Sequence, residues 1–310
     1  MKDIITVSVV NFNAVWGDVE NNRKRILNYV ENAGKQGVDL LVFPETALTG
    51  YDNDCSNERA EKMHRRLAET VPGKTSMLVA EICKNYSMYA AFGLAERDSI
   101  DQTKVYNSVA VCGPKGVIGS NRKIHLPFTE MEWADNGSKP MLFDTEWGPI
   151  GVGICYDVYE FPEITRYCRA MGARLFLNCT AIGTMESGGA GGYAGNLSLQ
   201  YLVHCNSMYI ASSNLFGLDK TTFFMGGSSI IGPSSISPEV FYYAGKKFLD
   251  EGAAEGTVET ATIDLSLTNR SFISLIFENE KTGVCDWRPE AYQKWYADVL
   301  KKYALSKSSE

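Results

Sequence analysis

Apolar residues fall in short runs along this chain, and longer stretches of helical spacing separate them. Ile4–Val10 is almost wholly apolar and β-branched, which predicts a strand buried on both faces. Val19–Gln36 follows as a helix, with Ile26, Val30 and Ala33 spaced to form one apolar stripe. Asp39–Phe43 predicts a second strand, stopped by Pro44. Glu61–Tyr86 has helical character with a break at Val71-Pro72-Gly73. Tyr89–Ala95, Lys104–Cys112 and Gly116–Arg122 read as successive strands, the last two joined by a turn over Gly113–Gly116.

The second half continues the alternation. Leu126–Trp147, rich in charged and aromatic residues, is expected to be irregular, and loops of such length inside a compact domain usually carry function. A strand at Ile150–Ile154, a helix near Phe161–Met171 and a strand at Arg174–Asn178 follow. A glycine-rich loop, Gly183–Gly195, leads to a helix at Leu197–Asn206 and a strand at Tyr209–Ser213. Strands near Ser228–Ile231 and Thr257–Ile263 close the body. Pro289–Tyr303 is an amphipathic helix whose Tyr292, Trp295, Tyr296, Val299 and Leu300 need cover from this domain or from a neighbouring subunit. No repeat or linker divides the chain, so one domain of mixed sheet with helices outside is expected over residues 1–285, with a helical tail at 286–310.

Composition narrows the partners. The 310 residues are 45% hydrophobic and 22% charged, as in ordinary globular proteins. A formal charge of −7, with no offsetting Lys/Arg cluster, argues against nucleic acid or an anionic membrane as partner. Ile4–Val10 is too short to span a bilayer and lacks the flanks of a signal peptide, so a cytoplasmic location is expected. The 8 cysteines are then expected to be free thiols. No C-x-x-C pair occurs, and nothing near His204-Cys205 completes a zinc set. Gly183–Gly195 lacks a dinucleotide or P-loop pattern, so no cofactor is expected there.

Three distant tracts carry complementary chemistry. Cys155 ends the small-residue strand Gly151–Ile154, a usual position for a nucleophile, and the N–H of Tyr156 is a natural oxyanion donor. A thiol attacks only as thiolate, so a base must lie near it. Glu45, after Phe43-Pro44, offers that base if burial raises its pKa. Lys123, in Arg122–Pro127, offers an ammonium for a tetrahedral oxyanion. A papain-like pairing of Cys155 with His125 or His204 is the weaker alternative, since His125 more readily holds loop backbone.

These tracts resemble the nitrilase superfamily of carbon–nitrogen hydrolases over about Ile5 to Ile263. The Glu of F-P-E, the Lys of R-K-x-H-L and the Cys of G-x-x-I-C-Y-D stand in order. Leu48–Tyr51, Tyr106-Asn107-Ser108, Phe161-Pro162-Glu163 and Gly226-Gly227-Ser228 support the likeness. The resemblance implies a four-layer αββα sandwich whose subunits pair through outer helices, at least as a homodimer. It also implies a cofactor-free and metal-free site with Glu45 as general base and acid, Lys123 as electrostatic stabiliser and Cys155 as nucleophile. A second glutamate follows the Lys motif in many members; Glu130 is preferred over Glu132 for that place. Tyr51, Glu132, Tyr156 and Glu160 are the expected substrate contacts, with Glu160 alternatively an exposed acid at a helix start.

Two departures stand out. Cys155–Glu163 is one residue longer than the usual C-Y-D-x-x-F-P-E, and Cys205-Asn206 replaces a common Glu-Asn. Cys-Tyr-Asp rather than Cys-Trp-Glu places the chain with amidases and carbamoylases, so hydrolysis of a small amide or N-carbamoyl compound is expected. A nitrilase is the nearest rival. A silent binding or assembly protein of the same fold is the rival of another class, and three intact reactive positions speak against it.

Overall fold

Strand after strand in this chain buries both faces, and the reason is a double layer of sheet. A computed structural model describes residues 1–56, 58–127, 129–184, 190–237, 239–269 and 287–307. The first half runs β1 (Ile4–Val10), α1 (Val19–Lys35), β2 (Leu40–Val42), α2 (Met63–Leu67), α3 (Lys74–Tyr86), β3 (Tyr89–Arg97), β4 (Val105–Gly113) and β5 (Gly116–Arg122). The second runs β6 (Met141–Thr145), β7 (Gly148–Ile154), α4 (Tyr156–Tyr159), α5 (Pro162–Ala170), β8 (Leu175–Thr180), β9 (Gly183–Thr184) and α6 (Ala190–Asn206). It continues with β10 (Tyr209–Asn214), β11 (Phe216–Leu218), β12 (Phe223–Met225), β13 (Ser229–Pro233), β14 (Val240–Gly245), β15 (Val258–Asp264) and α7 (Pro289–Lys307).

Two 6-stranded sheets result, in orders β15-β1-β2-β3-β4-β5 and β14-β13-β10-β8-β7-β6. Alternate residues of each strand serve different layers. Ile5, Val7 and Val9 of β1 pack with Val152, Ile154, Leu175 and Leu177 of the other sheet, forming the central core. Phe92 and Leu94 of β3 face α1 and α3, meeting Ile26, Val30 and Val79. Phe176 and Ile210 face α5 and α6, meeting Cys168, Leu199 and Val203. Each such buried Val, Leu, Ile or Phe stabilises the fold by about 1.5–3 kcal/mol relative to exposure. The layers are helix, sheet, sheet, helix.

The helix start at Val19 is set by Asp18, whose carboxylate accepts from the Asn21 N–H at 3.2 Å. The helical stretch expected over Glu61–Tyr86 is interrupted earlier than Val71. Glu69 runs extended, donating its N–H to Ala95 O at 3.1 Å and accepting from Arg97 N–H at 2.8 Å. Leu126–Trp147 is not irregular throughout, because Met141–Thr145 pairs antiparallel with Gly148–Val152. The expected loop Gly183–Gly195 gives way to helix from Ala190, earlier than its glycines suggest.

The chain divides into two units, Met1–Phe272 and Ile273–Glu310. The boundary expected at 285/286 lies outside the described residues. In the second unit, Trp295, Tyr296, Val299 and Leu300 of α7 are exposed. Among the described residues, no helix is long and apolar enough to cross a membrane.

Candidate active site

Glu45 is placed by the way the chain leaves β2, which runs parallel between β1 and β3. Phe43 N–H donates to Ala91 O at 2.8 Å, and Gly93 exchanges with Pro44 O at 3.1 Å and Leu48 N–H at 3.1 Å. A Cβ on Gly93 would lie 2.3 Å from Thr46 N, so only glycine lets β3 run this close to the turn. Thr46 takes a left-handed φ of 47°, and the Glu45 side chain turns fully inward.

Lys123 enters from the end of β5. Its N–H donates to Asn107 O at 2.8 Å and its carbonyl accepts from Gly137 at 2.7 Å, which pins the backbone on both sides. The ammonium, wholly buried, donates to Glu45 Oε1 at 2.7 Å and to Glu130 Oε1 at 2.5 Å. Asn107 on β4 ties the same carboxylates together, donating to Glu45 Oε1 at 2.7 Å and Glu130 Oε2 at 2.9 Å. The Tyr51 hydroxyl donates to Glu130 Oε1 at 2.9 Å. Glu45 Oε2 has no hydrogen-bond partner among the described residues, though it is buried, and the same holds for Asn107 Oδ1.

Cys155 comes from the second sheet, at the end of β7. Gly153 allows this, since a Cβ there would stand 2.7 Å from both Val158 and Phe176. Cys155 holds φ 48° and ψ −107°, a backbone state that costs on the order of 1–3 kcal/mol. Its N–H donates to Cys179 O at 3.1 Å, and its carbonyl accepts from Val158 at 2.8 Å and Tyr159 at 3.1 Å. The next N–H, of Tyr156, opens α4 and has no intrahelical acceptor.

Asp157 locks the two halves of the site together. Its carboxylate accepts from Ile124 N–H at 3.0 Å, His125 N–H at 2.8 Å and His125 Nδ1 at 2.8 Å. The His125 ring stacks on Phe161 with centroids 3.4 Å apart. That ring is committed to holding the loop that carries Lys123.

The electrostatics follow from burial. Desolvation raises the Glu45 carboxyl to about 7, against the pull of Lys123 and with a further push from Glu130. Desolvation opposes the charge on Lys123, but Glu130 and Glu45 outweigh it and hold the ammonium charged well beyond its usual range. The Cys155 thiol is pushed up to about 12, first by desolvation and then by the charge of Glu45, while Lys123 draws it down. The site therefore combines a neutral thiol, a fixed cation and a carboxylate that titrates near neutrality with one free oxygen.

The sequence profile described as Carbon-nitrogen hydrolase matches residues 6–237. The chain belongs to the carbon–nitrogen hydrolase family. A protein named Nitrilase from Pyrococcus abyssi is 28% identical over 261 residues, covering 81% of this chain and 89% of that one. Omega-amidase NIT2-A from Xenopus laevis is 29% identical, covering 79% and 83%. Among solved structures, Nit3 of Saccharomyces cerevisiae, of branch 10 of the nitrilase superfamily, superposes with TM-score 0.72 at 22% identity, covering 86% and 93%. An amidase from Nesterenkonia sp. gives TM-score 0.69 at 19% identity, covering 95% and 97%. The layered α/β sandwich is thus the nitrilase-superfamily fold.

Within this carbon–nitrogen hydrolase, Glu45, Lys123 and Glu130 meet directly, and the charges of the first two act on Cys155. Glu132, two residues on, does not join them. It is half exposed, pairs with Lys62 Nζ at 2.7 Å and accepts from Asn53 at 3.3 Å. Tyr51 reaches the cluster through Glu130, whereas the Tyr156 ring is part-exposed and lies edge-on to Phe161. Glu160 is exposed between the C-terminal end of α4 and Phe161, the residue that caps the start of α5. Sequence reasoning gave no role to Asn107 or Asp157, although both lie inside quoted tracts. Their amide and carboxylate become informative only when the strands bring Glu45 and His125 beside them.

Proposed function

We propose that this carbon–nitrogen hydrolase cleaves the C–N bond of a small amide through a Cys155 thioester. Glu45 takes the thiol proton on its free oxygen as the sulfur attacks the carbonyl carbon. The negative oxygen that develops is stabilised by the Lys123 ammonium and the Tyr156 N–H. The C–N bond breaks as Glu45 returns its proton to the departing nitrogen. Water then attacks the thioester, giving a proton to Glu45, and Glu45 returns that proton to the sulfur as the C–S bond breaks and the carboxylic acid leaves. Glu130, Asn107 and Tyr51 hold Lys123 and Glu45 in register throughout.

One observation carries this reading: a buried carboxylate with a near-neutral pKa and an unused oxygen, paired to a permanent ammonium beside a thiol. The Cys-Tyr-Asp tract and relatives named omega-amidase favour a primary amide, or an N-carbamoyl group, over a nitrile. The relative named Nitrilase keeps nitrile hydrolysis as the second reading. A panel of small amides, carbamoyl compounds and matched nitriles with ammonia readout separates them. Ammonia from amides alone is the expected result; turnover of nitriles alone would overturn the amidase reading.

Pairing of two copies through outer helices belongs to the same reading. Tyr193, Leu197 and Tyr201 are exposed at four-residue spacing on α6, a face suited to a second copy.

A further inference from the structure

The tip of the β11–β12 hairpin and the Tyr51 turn hold each other by an exchange of carboxylates. Asp219, at the tip, accepts on Oδ2 from the Tyr51 N–H and the Asp52 N–H, each at 2.8 Å. In return, Asp52 Oδ2 accepts from the N–H groups of Lys220 at 3.1 Å, Thr221 at 2.6 Å and Thr222 at 2.8 Å. The Thr222 hydroxyl donates to Asp52 Oδ1 at 2.6 Å, and the Thr221 hydroxyl donates to Oδ2 at 3.2 Å. Lys220 Nζ lies over the Trp16 ring, 4.5 Å from its centroid. Gly50 makes room for this contact, since it holds φ 83° and a Cβ there would stand 2.8 Å from Asp219 Oδ1. That second oxygen of Asp219 has no hydrogen-bond partner among the described residues, so Oδ2 carries the hold on the turn.

Tyr51 is thereby gripped at three points. Its N–H goes to Asp219, its ring meets Phe224 of β12 edge-on with centroids 5.6 Å apart, and its hydroxyl donates to Glu130 Oε1 at 2.9 Å. The hairpin is anchored in turn, because β12 pairs with β9 and Met225 N–H donates to Ile182 O at 3.3 Å. Desolvation pushes the Asp219 carboxyl up to about 6; its two N–H donors pull it down and the Asp52 charge pushes it further up. It is therefore already ionised, and a full acceptor, where Glu45 titrates at about 7. Neither aspartate has a part in the reaction sequence above.

We propose that Asp219 is a positioning residue of this site, holding the Tyr51 turn so that the phenol reaches Glu130 and, through it, Lys123 and Glu45. The proposal rests on the reading of Cys155 as nucleophile and Glu45 as its base. A phenol on a loosened turn loses its hydrogen bond to Glu130, because such bonds weaken steeply with distance and angle. Glu130 then keeps more of its negative field, and that field raises the Glu45 carboxyl. The hold of Asp219 is thus felt in the titration of the base, not in stability alone. Asp157 fastens the Lys123 loop from one side of the site, and Asp219 fastens the Tyr51 turn from the hairpin.

Alkylation of Cys155 by iodoacetamide reads the base without a known substrate. Full-length protein is treated at pH values from about 5 to about 9, and modification is counted on the Cys155 peptide by mass spectrometry. Counting by peptide is needed because Cys55 is exposed. The wild-type rate is expected to rise through an inflection at about 7, set by Glu45. Tyr51→Phe should move that inflection up by about half a pH unit, as for one lost hydrogen bond. Asp219→Ala should move it equally, and the double variant no further, since both changes act through one phenol. Asp219→Asn should restore the wild-type inflection, because its amide oxygen can accept both N–H groups. An unmoved inflection in Asp219→Ala, or in Asp219→Ser should the alanine variant not fold, would overturn the proposal. So would shifts that add in the double variant, or a downward shift shared by Asp219→Ala and Asp219→Asn, which would report only the lost charge. Failure of the nucleophile reading shows elsewhere, as turnover that survives in Cys155→Ala.

Discussion

The two sheets bring opposite kinds of chemistry to one place. The first sheet, through the ends of β2 and β5, holds charges in a buried and nearly closed network. Lys123 has two carboxylates, and each carboxylate has the ammonium and the Asn107 amide. The second sheet, through the end of β7, holds an uncharged thiol on a left-handed backbone. Desolvation acts on both regions, but only the first contains the counter-charges that offset it. The lesson is a division of labour. Charge is stored where it is balanced, and the nucleophile stays neutral until the one unpartnered oxygen of Glu45 relieves it of a proton.

That contrast is open to being broken. Cys155→Ala should abolish turnover with little change in thermal stability, because the thiol supplies the covalent step and holds no charge network together. Lys123→Ala should lower kcat by about 10²–10³, as for a lost oxyanion donor. Unlike the cysteine change, it should also destabilise the fold by about 3–5 kcal/mol, because Glu45 and Glu130 are left buried without their cation. Denaturation curves for the two variants check the difference. Equal stability losses would erase the distinction between the sheets.

The pH profile sharpens it further. Glu45 acts as a base only when ionised, so kcat/KM should rise with pH below about 7 and level off above. The folded-state pKa is raised above its ordinary value of 4.5, so the folded chain holds this proton more tightly than the unfolded chain. Stability attributed to Glu45 therefore falls as pH climbs from 4.5 through about 7, and Glu45→Gln should flatten that slope. The smallest effect is expected from Tyr51→Phe, which removes one of the hydrogen bonds on Glu130. A loss of about fivefold in kcat, matching roughly 1 kcal/mol, is the expected outcome of steady-state assays.

How much of this was legible before folding depends on the kind of residue. Glu45, Lys123 and Cys155 stood out because each ends an apolar run in a tract with its own pattern, and the same runs gave the alternation of strand and helix. Asn107 did not, because an amide inside a strand carries no sign of which carboxylates will face it. Glu130 and Glu132 were separable only by geometry, since both follow Lys123 within one short helical turn, and the turn sends the first inward and the second to Lys62. Strand β6 was hidden because Met141–Thr145 is short and depends on its hairpin partner β7. Helix α6 was read too short because Gly191 and Gly192 weaken helix propensity, which tertiary packing overrides.

The most direct measurement is intact-protein and peptide mass spectrometry of the enzyme quenched in acid during turnover of a small amide. The mechanism requires an acyl mass on the peptide containing Cys155, lost on standing at neutral pH and absent from Cys155→Ala. Steady turnover with no acyl mass at Cys155, and undiminished in the alanine variant, would contradict it.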